Sequence, residues 1–342
     1  MRTLLTGNEG YLGAVMGPEL IRRGHDVVGL DTGFFKSGWL CHDVGPTPHT
    51  VVKDVRDITA ADLEGFDAVV HLAELSNDPL GQMEPELTHR VNHEGSVHLA
   101  TLAKQAGVTR FVYMSSCSVY GVATEGDVSE ESSTNPQTAY AVCKTLVERD
   151  LTAMADDNFH PTFMRNATAF GVSPRLRFDL VVQNLSGLAW TTNTIAMISD
   201  GTPWRPLVHA RDIAQAVACV LAAPPDAVHS EVFNVGSSEQ NYQVRDIANA
   251  VGDVFPGCKV TLGTQGGDNR SYRVDFSKIS TKLPGFECEW NLEKGVKELY
   301  DTYRKVGLTT EQFASRDYTR LAQLEYLRST GQVDNDLRWV HR

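Results

Sequence analysis

The sequence contains no long apolar run and no block of basic residues, and both absences narrow its function. Spanning a bilayer takes about 20 consecutive apolar residues, and no stretch of this chain approaches that length. Acidic residues outnumber basic ones, 43 against 31, which gives a formal net charge of −12. Nucleic acids and anionic membranes attract basic proteins, so we expect neither as a partner. An anionic substrate would need local arginines.

Cysteine is present, but not in a pattern that predicts a zinc site or a disulfide framework. The six cysteines are scattered, with no Cys-x-x-Cys and no paired histidine spacing: Cys41, Cys117, Cys143, Cys219, Cys258 and Cys288. Unpaired cysteines are typical of a reducing compartment. The first residues read as a strand rather than as a secretory signal. We therefore expect a cytoplasmic protein without a bound metal.

A glycine-rich segment near the start predicts a dinucleotide site in a chain of 342 residues. Residues 2–5 form an apolar run, Thr6-Gly-Asn-Glu-Gly-Tyr-Leu-Gly13 follows, and a helical pattern continues to Arg23. Such a turn presents backbone N–H groups and a positive helix dipole to a pyrophosphate. A second strand, residues 26–30, ends at Asp31, whose carboxylate accepts ribose hydroxyls and repels a 2′-phosphate. The pattern predicts NAD rather than NADP.

Strands and helices alternate through the rest of the first half. Residues 51–57 predict a third strand that brings Asp54 and Val55 to the adenine amino group, although a solvated acid in a turn is the alternative. Further strands are predicted over residues 68–72 and 110–114, with a helix over residues 91–106 between them. This alternation predicts an α/β fold with a doubly wound parallel sheet. Ligands bind such sheets beyond the carboxyl ends of the strands.

Tyr140 and Lys144 are the central pair of the predicted site. They begin a predicted helix, Ala139–Met154, in which residues four apart lie on one face. The ammonium favours phenolate and lowers the tyrosine pKa from its usual value of about 10. Such a tyrosine can take a proton from an alcohol or sugar hydroxyl while hydride leaves the same carbon.

Four motifs in order resemble one enzyme family. They are Thr6-Gly-x-x-Gly-x-x-Gly13, His71-Leu-Ala, Ser115-Ser116 with Val119-Tyr-Gly121, and Tyr140-x-x-x-Lys144. Over residues 1–300 the chain resembles the extended short-chain dehydrogenase/reductases, in particular the NAD-dependent nucleotide-sugar epimerase/dehydratase group. The resemblance implies a Rossmann-type sheet with a smaller C-terminal substrate-binding lobe. It also implies a nucleotide-diphosphate sugar as substrate.

The resemblance assigns roles around the cofactor. Ser116 and Tyr140 hydrogen-bond the reacting oxygen, Lys144 holds the nicotinamide ribose, and Ser115 supports the turn. The residues expected to bind NAD are Gly7, Glu9, Gly10, Tyr11, Leu12, Gly13, Asp31, Asp54, Val55, Leu72, Ala73, Asn92, Ser115, Tyr140 and Lys144.

The second half resembles the substrate-binding part of the family. Asn166 and Thr168 lie in what resembles its substrate loop, although the family usually carries an asparagine where Thr168 aligns. Arg205 and Arg270 lie in segments that resemble its two phosphate-binding arginines, and Arg177 is a further candidate. The residues expected to bind substrate are Glu74, Ser116, Ser118, Asn166, Thr168, Arg175, Asn184, Arg205 and Arg270.

Cys117 and Glu74 depart from the family pattern. Family 4,6-dehydratases carry an Asp-Glu pair where this chain has Cys117 and Ser118, which counts against that activity. Cys117 either transfers a proton, as a cysteine does in a related 3,5-epimerase and a 5,6-dehydratase, or fills space behind the nicotinamide. Glu74 either supplies a carboxylate near the sugar or caps the following loop. The predicted catalytic residues are Ser116, Cys117, Tyr140 and Lys144.

These residues predict an NAD-dependent nucleotide-sugar epimerase that transiently oxidises a sugar hydroxyl, C4 by default, with hydride transfer to bound NAD+. A dehydratase or dehydratase/epimerase using Cys117 is the alternative, and a keto-sugar reductase is another. A non-catalytic protein on the same fold is a further alternative, against which the intact Ser116, Tyr140 and Lys144 argue.

The expected organisation has three parts. Residues 1–167, with 207–241 returning to them, form the NAD-binding Rossmann domain. Residues 168–206 and 242–300 form the nucleotide-sugar lobe, and residues 301–342 form a helical extension. The resemblance implies a homodimer through a four-helix bundle, built from the helices over residues 91–106 and Ala139–Met154.

Overall fold

The computed structural model describes residues 1–41, 45–76, 78–264 and 270–340. The strands are β1 (Arg2–Thr6), β2 (Asp26–Asp31), β3 (His49–Val52), β4 (Ala68–His71), β5 (Arg110–Tyr113), β6 (Val122–Val128), β7 (His160–Asn166), β8 (Thr168–Phe170), β9 (Thr194–Ala196), β10 (Trp204–His209), β11 (Val232–Val235), β12 (Asn241–Gln243), β13 (Lys259–Thr261) and β14 (Ser271–Val274).

The helices follow the same alternation. They are α1 (Gly13–Arg22), α2 (Asp78–Met83), α3 (Pro85–Thr88), α4 (Gly95–Gln105), α5 (Ala139–Met154), α6 (Val181–Thr192), α7 (Ala210–Ala222), α8 (Pro225–Val228), α9 (Val244–Val254), α10 (Ser277–Lys282), α11 (Leu292–Val306), α12 (Thr310–Phe313) and α13 (Arg320–Ser329). A π-helical segment, His89–Glu94, joins α3 to α4.

A seven-stranded parallel sheet forms the centre of the fold, in the order β11-β7-β5-β4-β1-β2-β3. Every residue of β4 is buried, as expected for a parallel sheet covered on both faces. The strand order reverses between β1 and β4, and this reversal opens a crevice beyond their carboxyl ends. The predicted α/β, doubly wound fold class is confirmed.

Helices cover both faces of this sheet and build its core. On one face α1 packs against α7, with the fully buried Leu20 and Val217 in the same apolar cluster. On the other face α4 and α5 lie side by side through Leu99 and Val147. Because α5 is held on the sheet in this way, the residues at its first turn have a fixed position beside the crevice.

The third strand differs from its prediction. Strand β3 ends at Val52, and Val55–Asp57 forms a 3₁₀ turn instead of continuing the strand. The side chain of Asp54 accepts a hydrogen bond from the N–H of Arg56 at 2.9 Å. This cap satisfies a backbone donor that a strand would otherwise pair, so the chain turns at that point.

The C-terminal part is only partly helical. After α11 it contains the short α12, a 3₁₀ turn at Arg316–Tyr318 and α13. Residues 330–340 then fold back on themselves through a bridge between Val333 and Trp339.

In the described ranges no helix has the length and apolar character needed to span a bilayer.

Candidate active site

A cleft of about 680 Å³ opens at the carboxyl ends of β1 and β4 and extends toward β10. Most of the predicted site residues line it: Gly7, Gly10, Tyr11, Leu12, Gly13, Asp31, Asp54, Val55, Leu72, Ala73, Glu74, Ser115, Ser116, Ser118, Tyr140, Lys144, Asn166, Thr168, Asn184, Arg205 and Arg270. The structure therefore brings the glycine-rich turn, the Tyr–Lys pair and the two candidate arginines to one continuous surface.

The glycine-rich turn leaves no room for side chains where a dinucleotide would approach. Gly7 has φ of +73°, and a Cβ there would lie 2.9 Å from the backbone N of Ala73. A Cβ at Gly13 would lie 2.2 Å from the carbonyl oxygen of Gly7. Gly10 and Gly13, before and at the start of α1, line the cleft, and backbone N–H groups at that position suit a pyrophosphate. This cradle fits NAD.

Asp31 lies at the end of β2 on the adenosine side of the cleft. One carboxylate oxygen accepts the N–H of Gly33 at 2.7 Å, and the other accepts the N–H of Glu9 at 3.1 Å. Burial raises the pKa of Asp31, and these two hydrogen bonds oppose that rise. The carboxylate is fixed, and its remaining lone pairs suit ribose hydroxyls.

Tyr140 and Lys144 share the face of α5 that looks into the cleft. The hydroxyl of Thr138 caps this helix by accepting the N–H of Ala141 at 3.2 Å. The Nζ of Lys144 lies 5.2 Å from the centre of the Tyr140 ring and donates a hydrogen bond to the carbonyl of Met114. The ammonium is therefore close enough to act on the phenol, as the four-residue spacing predicts.

Glu74 forms an ion pair with Lys144 inside the cleft. Its Oε2 lies 2.5 Å from Nζ, and the Lys144 and Glu74 side chains are 4% and 3% exposed. The hydroxyl of Tyr113 donates a hydrogen bond to Oε1 at 2.7 Å. Burial lowers the pKa of Lys144, but Glu74, with smaller contributions from Tyr140 and Glu148, raises it more, so the net pKa lies above its usual value. Glu74 is a partner of the lysine rather than a cap of the following loop.

The three serines of the Ser-Ser-Cys-Ser segment have different surroundings. Ser115 donates its hydroxyl to Glu148 at 2.5 Å, below the cleft. The Oγ of Ser116 accepts the N–H of Ser118 at 3.1 Å, which leaves the Ser116 hydroxyl hydrogen to be donated into the cleft. The Oγ of Ser118 is buried without a hydrogen-bond partner among the described residues.

A buried network supports this segment from behind. Glu148 and Arg165 form an ion pair of 2.7 Å, with side chains 9% and 8% exposed. Arg165 also donates to the hydroxyl of Tyr120 at 3.0 Å, and that hydroxyl donates to Asn234 at 2.7 Å. Since Ser115 bonds to the same carboxylate, the network fixes the end of β5 to α5 and β7.

Cys117 does not reach the cleft. Its side chain is 1% exposed, and the thiol donates a hydrogen bond to the carbonyl of Arg165 at 3.1 Å. Burial raises the pKa of the Cys117 thiol, and the nearby Arg165 cation does not compensate. The expectation that this thiol transfers protons is therefore contradicted by its position. The alternative, a small residue that fills space, agrees with the structure.

Three other predicted site residues have structural partners instead of lining the cleft. Asn92 is fully buried and exchanges two hydrogen bonds with the backbone of Leu75. Glu9 and Arg175 pair with each other at 2.8 Å. Arg175 also donates to the carbonyls of residues 35 and 36, so it anchors the loop after β2 and does not line the cleft.

Asp54, Asn166 and Asn184 line the cleft, and each side chain already makes at least one hydrogen bond within the protein. The Asp54 carboxylate accepts two side-chain hydrogen bonds from Arg56, at 3.0 and 2.7 Å. The amide of Asn166 donates to the carbonyl of Ser115 at 3.1 Å, and that of Asn184 to the carbonyl of residue 178 at 3.0 Å. The Oδ1 of Asn166 is buried without a partner in the described part of the chain.

The far end of the cleft holds cationic side chains. Arg205, on β10, donates hydrogen bonds to the carbonyls of Trp204 and Arg270, which brings both arginines to one wall. Residues 267–269 of the second arginine motif lie outside the described residues. Arg177 lines the cleft nearer its middle and forms an ion pair with Asp179 at 2.9 Å.

Comparison with known proteins agrees with this geometry. A sequence profile described as the NAD dependent epimerase/dehydratase family matches residues 3–236. The chain belongs to this family. A UDP-glucose 4-epimerase of Mycolicibacterium smegmatis is 29% identical over an alignment of 321 positions, which covers 89% of this chain and 99% of that protein. The low-salt glycan biosynthesis protein Agl12 of Haloferax volcanii is 27% identical over 318 residues, 89% of this chain and 98% of that protein.

Solved structures of similar proteins share the fold. MoeE5 in complex with UDP-glucuronic acid and NAD has a TM-score of 0.76 at 27% identity, covering 89% of this chain and 99% of that one. The NAD-dependent NDP-hexosamine 5,6-dehydratase TunA has a TM-score of 0.78 at 24% identity, covering 89% and 98%. The predicted family, enzyme class and cofactor are confirmed: the chain is an NAD-dependent enzyme of the epimerase/dehydratase family.

Some residues in and directly behind the cleft are not among the sequence predictions. Tyr113 reaches Glu74 from the end of β5, and Asp179 pairs with Arg177. Arg320 and Leu324, from the C-terminal part that the family profile does not cover, also line the cleft. No motif marks them, and the helical periodicity of residues 313–327 indicates packing rather than a site.

Proposed function

We propose that this enzyme is a nucleotide-sugar epimerase that oxidises the C4 hydroxyl of the sugar and returns hydrogen to the opposite face. The observation that carries the proposal is a single cleft that joins Tyr140 and Ser116 to Arg205 and Arg270. The first pair suits chemistry at a hydroxyl, and the second suits a diphosphate. UDP-glucose 4-epimerases among the relatives support this assignment.

In this proposal the chain's own residues handle the proton. Tyr140 takes the proton of the sugar hydroxyl, and the Ser116 hydroxyl donates a hydrogen bond to the same oxygen. Lys144 holds positive charge near the phenol and contacts the nicotinamide ribose. NAD, when bound, supplies the hydride acceptor. Proton transfer at Tyr140 reverses in the second half of the cycle, so the enzyme needs no added reductant.

The remaining cleft residues are proposed to hold the substrate. Arg205 and Arg270 contact the diphosphate, and Asn184 lies near it. Thr168 and the unpartnered Oδ1 of Asn166 face the sugar. A buried acceptor without a donor costs free energy, so a sugar hydroxyl at Asn166 would relieve that cost.

The epimerase is favoured over a dehydratase because an acid/base pair is missing where a dehydratase needs it. Cys117 is buried with a raised pKa, and Ser118 is no carboxylate. Glu74 is a carboxylate in the cleft, which keeps elimination as the second candidate, but it pairs with Lys144.

Product analysis in D₂O separates these reactions. The purified enzyme would be incubated with UDP- and dTDP-hexoses, and products followed by NMR and mass spectrometry. A C4 epimerase gives a product of unchanged mass with no solvent deuterium on carbon, because the same hydrogen returns. A product that has lost one water would establish a dehydratase and reject the proposal; where hydride returns to C6, solvent deuterium would mark C5.

A second test asks whether the cycle is self-contained and depends on Tyr140. Denatured protein should release NAD at nearly one per chain, and Tyr140→Phe should keep that NAD while kcat falls by about 10²–10⁴-fold. A protein that turns over only with added NADH or NADPH is a keto-sugar reductase. Unchanged turnover of Tyr140→Phe would reject the proposed base.

The lobes, the assembly and the location are also proposals. We infer that residues 1–167 and 207–241 form the cofactor lobe, that 168–206 and 242–300 form the sugar lobe, and that 301–342 form an extension. The packing of α6 and α9, both in the proposed sugar lobe, against each other and against α11 supports that division. A four-helix-bundle dimer through α4 and α5 is supported by Val142, which is 39% exposed on α5. Free cysteines support a reducing cytoplasm.

A further inference from the structure

Residues 316–340, which we call the C-terminal strap, lie across the cofactor end of the cleft. The side-chain amide of Gln323 donates to the carbonyl of Phe34 at 3.0 Å, and the indole of Trp339 donates to the carbonyl of Thr32 at 2.9 Å. Both acceptors belong to the loop that follows Asp31. Leu324 and Leu337 of the strap pack with Phe34 and line the cleft themselves.

Ion pairs hold the strap to the other edge of the cleft. Arg338 lies 3.5 Å from the carboxylate of Asp54 and also pairs with Asp57. Arg56 donates to the carbonyl of Asp336 at 3.0 Å. Each exposed pair contributes little alone, but together they connect the strap to the turn after β3. The strap therefore bridges the loops on both sides of the adenosine end.

Arg320 is the charged residue of the strap that enters the cleft. It is 6% exposed, and its guanidinium carbon lies 4.0 Å from the centre of the Phe35 ring. Its guanidinium donates no hydrogen bond to any residue within the described ranges, and only its backbone N–H bonds to Asp179, at 3.4 Å. A buried cation that has no hydrogen-bond acceptor lowers the stability of the folded protein.

The neighbouring charged groups already have other partners and do not accept hydrogen bonds from the Arg320 guanidinium. The groups that face Arg320 are Asp31, Arg175, Arg177 and Asp179. Arg175 pairs with Glu9, Arg177 pairs with Asp179, and the Asp31 oxygens accept two backbone N–H groups. Burial, together with the neighbouring Arg177 cation, lowers the pKa of Arg320 to about 9. An anion is the ligand that would compensate this position.

NAD carries anionic charge only on its two phosphates, and the glycine-rich turn places a pyrophosphate at the start of α1. We propose that Arg320 donates hydrogen bonds to the pyrophosphate of NAD and that the strap thereby retains the cofactor. This contact is independent of which sugar reaction the enzyme performs. It also lies outside the part of the chain that the family profile covers.

The first test measures how fast bound NAD leaves. NAD-loaded protein would be chased with excess isotopically labelled NAD+, and the exchange followed by mass spectrometry. Arg320→Gln should release NAD at least tenfold faster than the parent. Arg304→Gln is the matched control, because this side chain is 70% exposed on α11, and its release rate should equal that of the parent. Equal rates for both variants would overturn the proposal.

The second test separates binding from folding. Arg320→Gln removes an unmatched buried charge, so the cofactor-free variant should melt at the same or a higher temperature, while NAD raises its Tm less than it raises the parent's. A lower Tm without cofactor together with a full NAD-induced rise would show a structural role instead and overturn the proposal.

Ligand fragments then locate the contact. For cofactor-free protein, Arg320→Gln should weaken ADP-ribose at least tenfold and leave adenosine unchanged, because only ADP-ribose carries the pyrophosphate. Equal weakening of both ligands would place the contact on the nucleoside and overturn the assignment to the phosphates.

Discussion

The carboxylate of Glu74 lies 2.5 Å from the ammonium of Lys144, and both side chains are almost fully buried. Lys144 thus acts on Tyr140 with part of its charge offset by a neighbour. Position 74 follows the His71-Leu-Ala motif, so a single side chain after that motif alters the electrostatics of the catalytic pair. The Tyr113 hydroxyl fixes the orientation of the carboxylate.

Glu74→Gln should move the pH dependence of kcat to lower pH on both limbs. On the acidic limb, the ammonium acts on Tyr140 without the opposing carboxylate, which favours phenolate. On the alkaline limb, Lys144 loses the partner that raises its pKa, so it releases its proton at lower pH. Glu74→Asp keeps the charge and should retain the profile better. An unchanged profile for Glu74→Gln would contradict this electrostatic role.

Cys117→Ala should leave turnover within about twofold of the parent. The thiol is buried against the carbonyl of Arg165 and has a raised pKa, so it makes no contact in the cleft. The free energy of unfolding should fall by about 1 kcal/mol because a small cavity forms. Ser116→Ala serves as the comparison and should lower kcat about 10²-fold. Loss of activity in Cys117→Ala at normal stability would restore the thiol as a catalytic group.

Gly13→Ala should raise the Kd for NAD about tenfold or more. The added methyl group would lie 2.2 Å from the Gly7 carbonyl oxygen and 2.5 Å from the Cα of Asn8, both backbone atoms that cannot rotate away. Gly81→Ala is the control, since the nearest atom to its Cβ would lie at 3.7 Å. Calorimetric titration with NAD checks both variants, and equal affinities would show that the turn adjusts.

Arg165→Met should lower the free energy of unfolding by about 3–5 kcal/mol, because it leaves the buried Glu148 carboxylate without its cation. The double variant Glu148→Leu with Arg165→Met should recover part of that loss, since an apolar pair needs no charge compensation. Urea denaturation of the two single variants and the double variant measures the coupling. Additive losses would show that the pair is not coupled in the folded protein.

Sequence patterns predict the regular elements of this fold well. Helix α5 agrees with its prediction to the residue, because it has a clear apolar pattern between distinct boundaries. The third strand is placed wrongly because its end is set by the side-chain cap of Asp54, which the alternation of apolar residues does not show. Local backbone preference decides such boundaries.

Sequence patterns locate the candidate site residues that lie in the glycine-rich turn, and those that are spaced four apart on one helix. Predictions fail where the direction of a side chain depends on a distant partner. Arg175 turns toward Glu9, 166 residues away, and Cys117 turns toward the backbone of β7. Arg320 reaches the cleft because its helix packs on a loop almost 300 residues earlier, with Gln323 bonded to Phe34 across 289 positions. Such contacts require the folded chain.

The strap also has a consequence for the order in which the protein matures. The glycine-rich turn and Asp31 emerge from the ribosome early, whereas residues 316–340 emerge after every other wall of the cleft. The part of the cleft that the strap covers is therefore completed last during synthesis. On the proposal that Arg320 retains NAD, a chain that terminates upstream of this residue would lack the retaining contact.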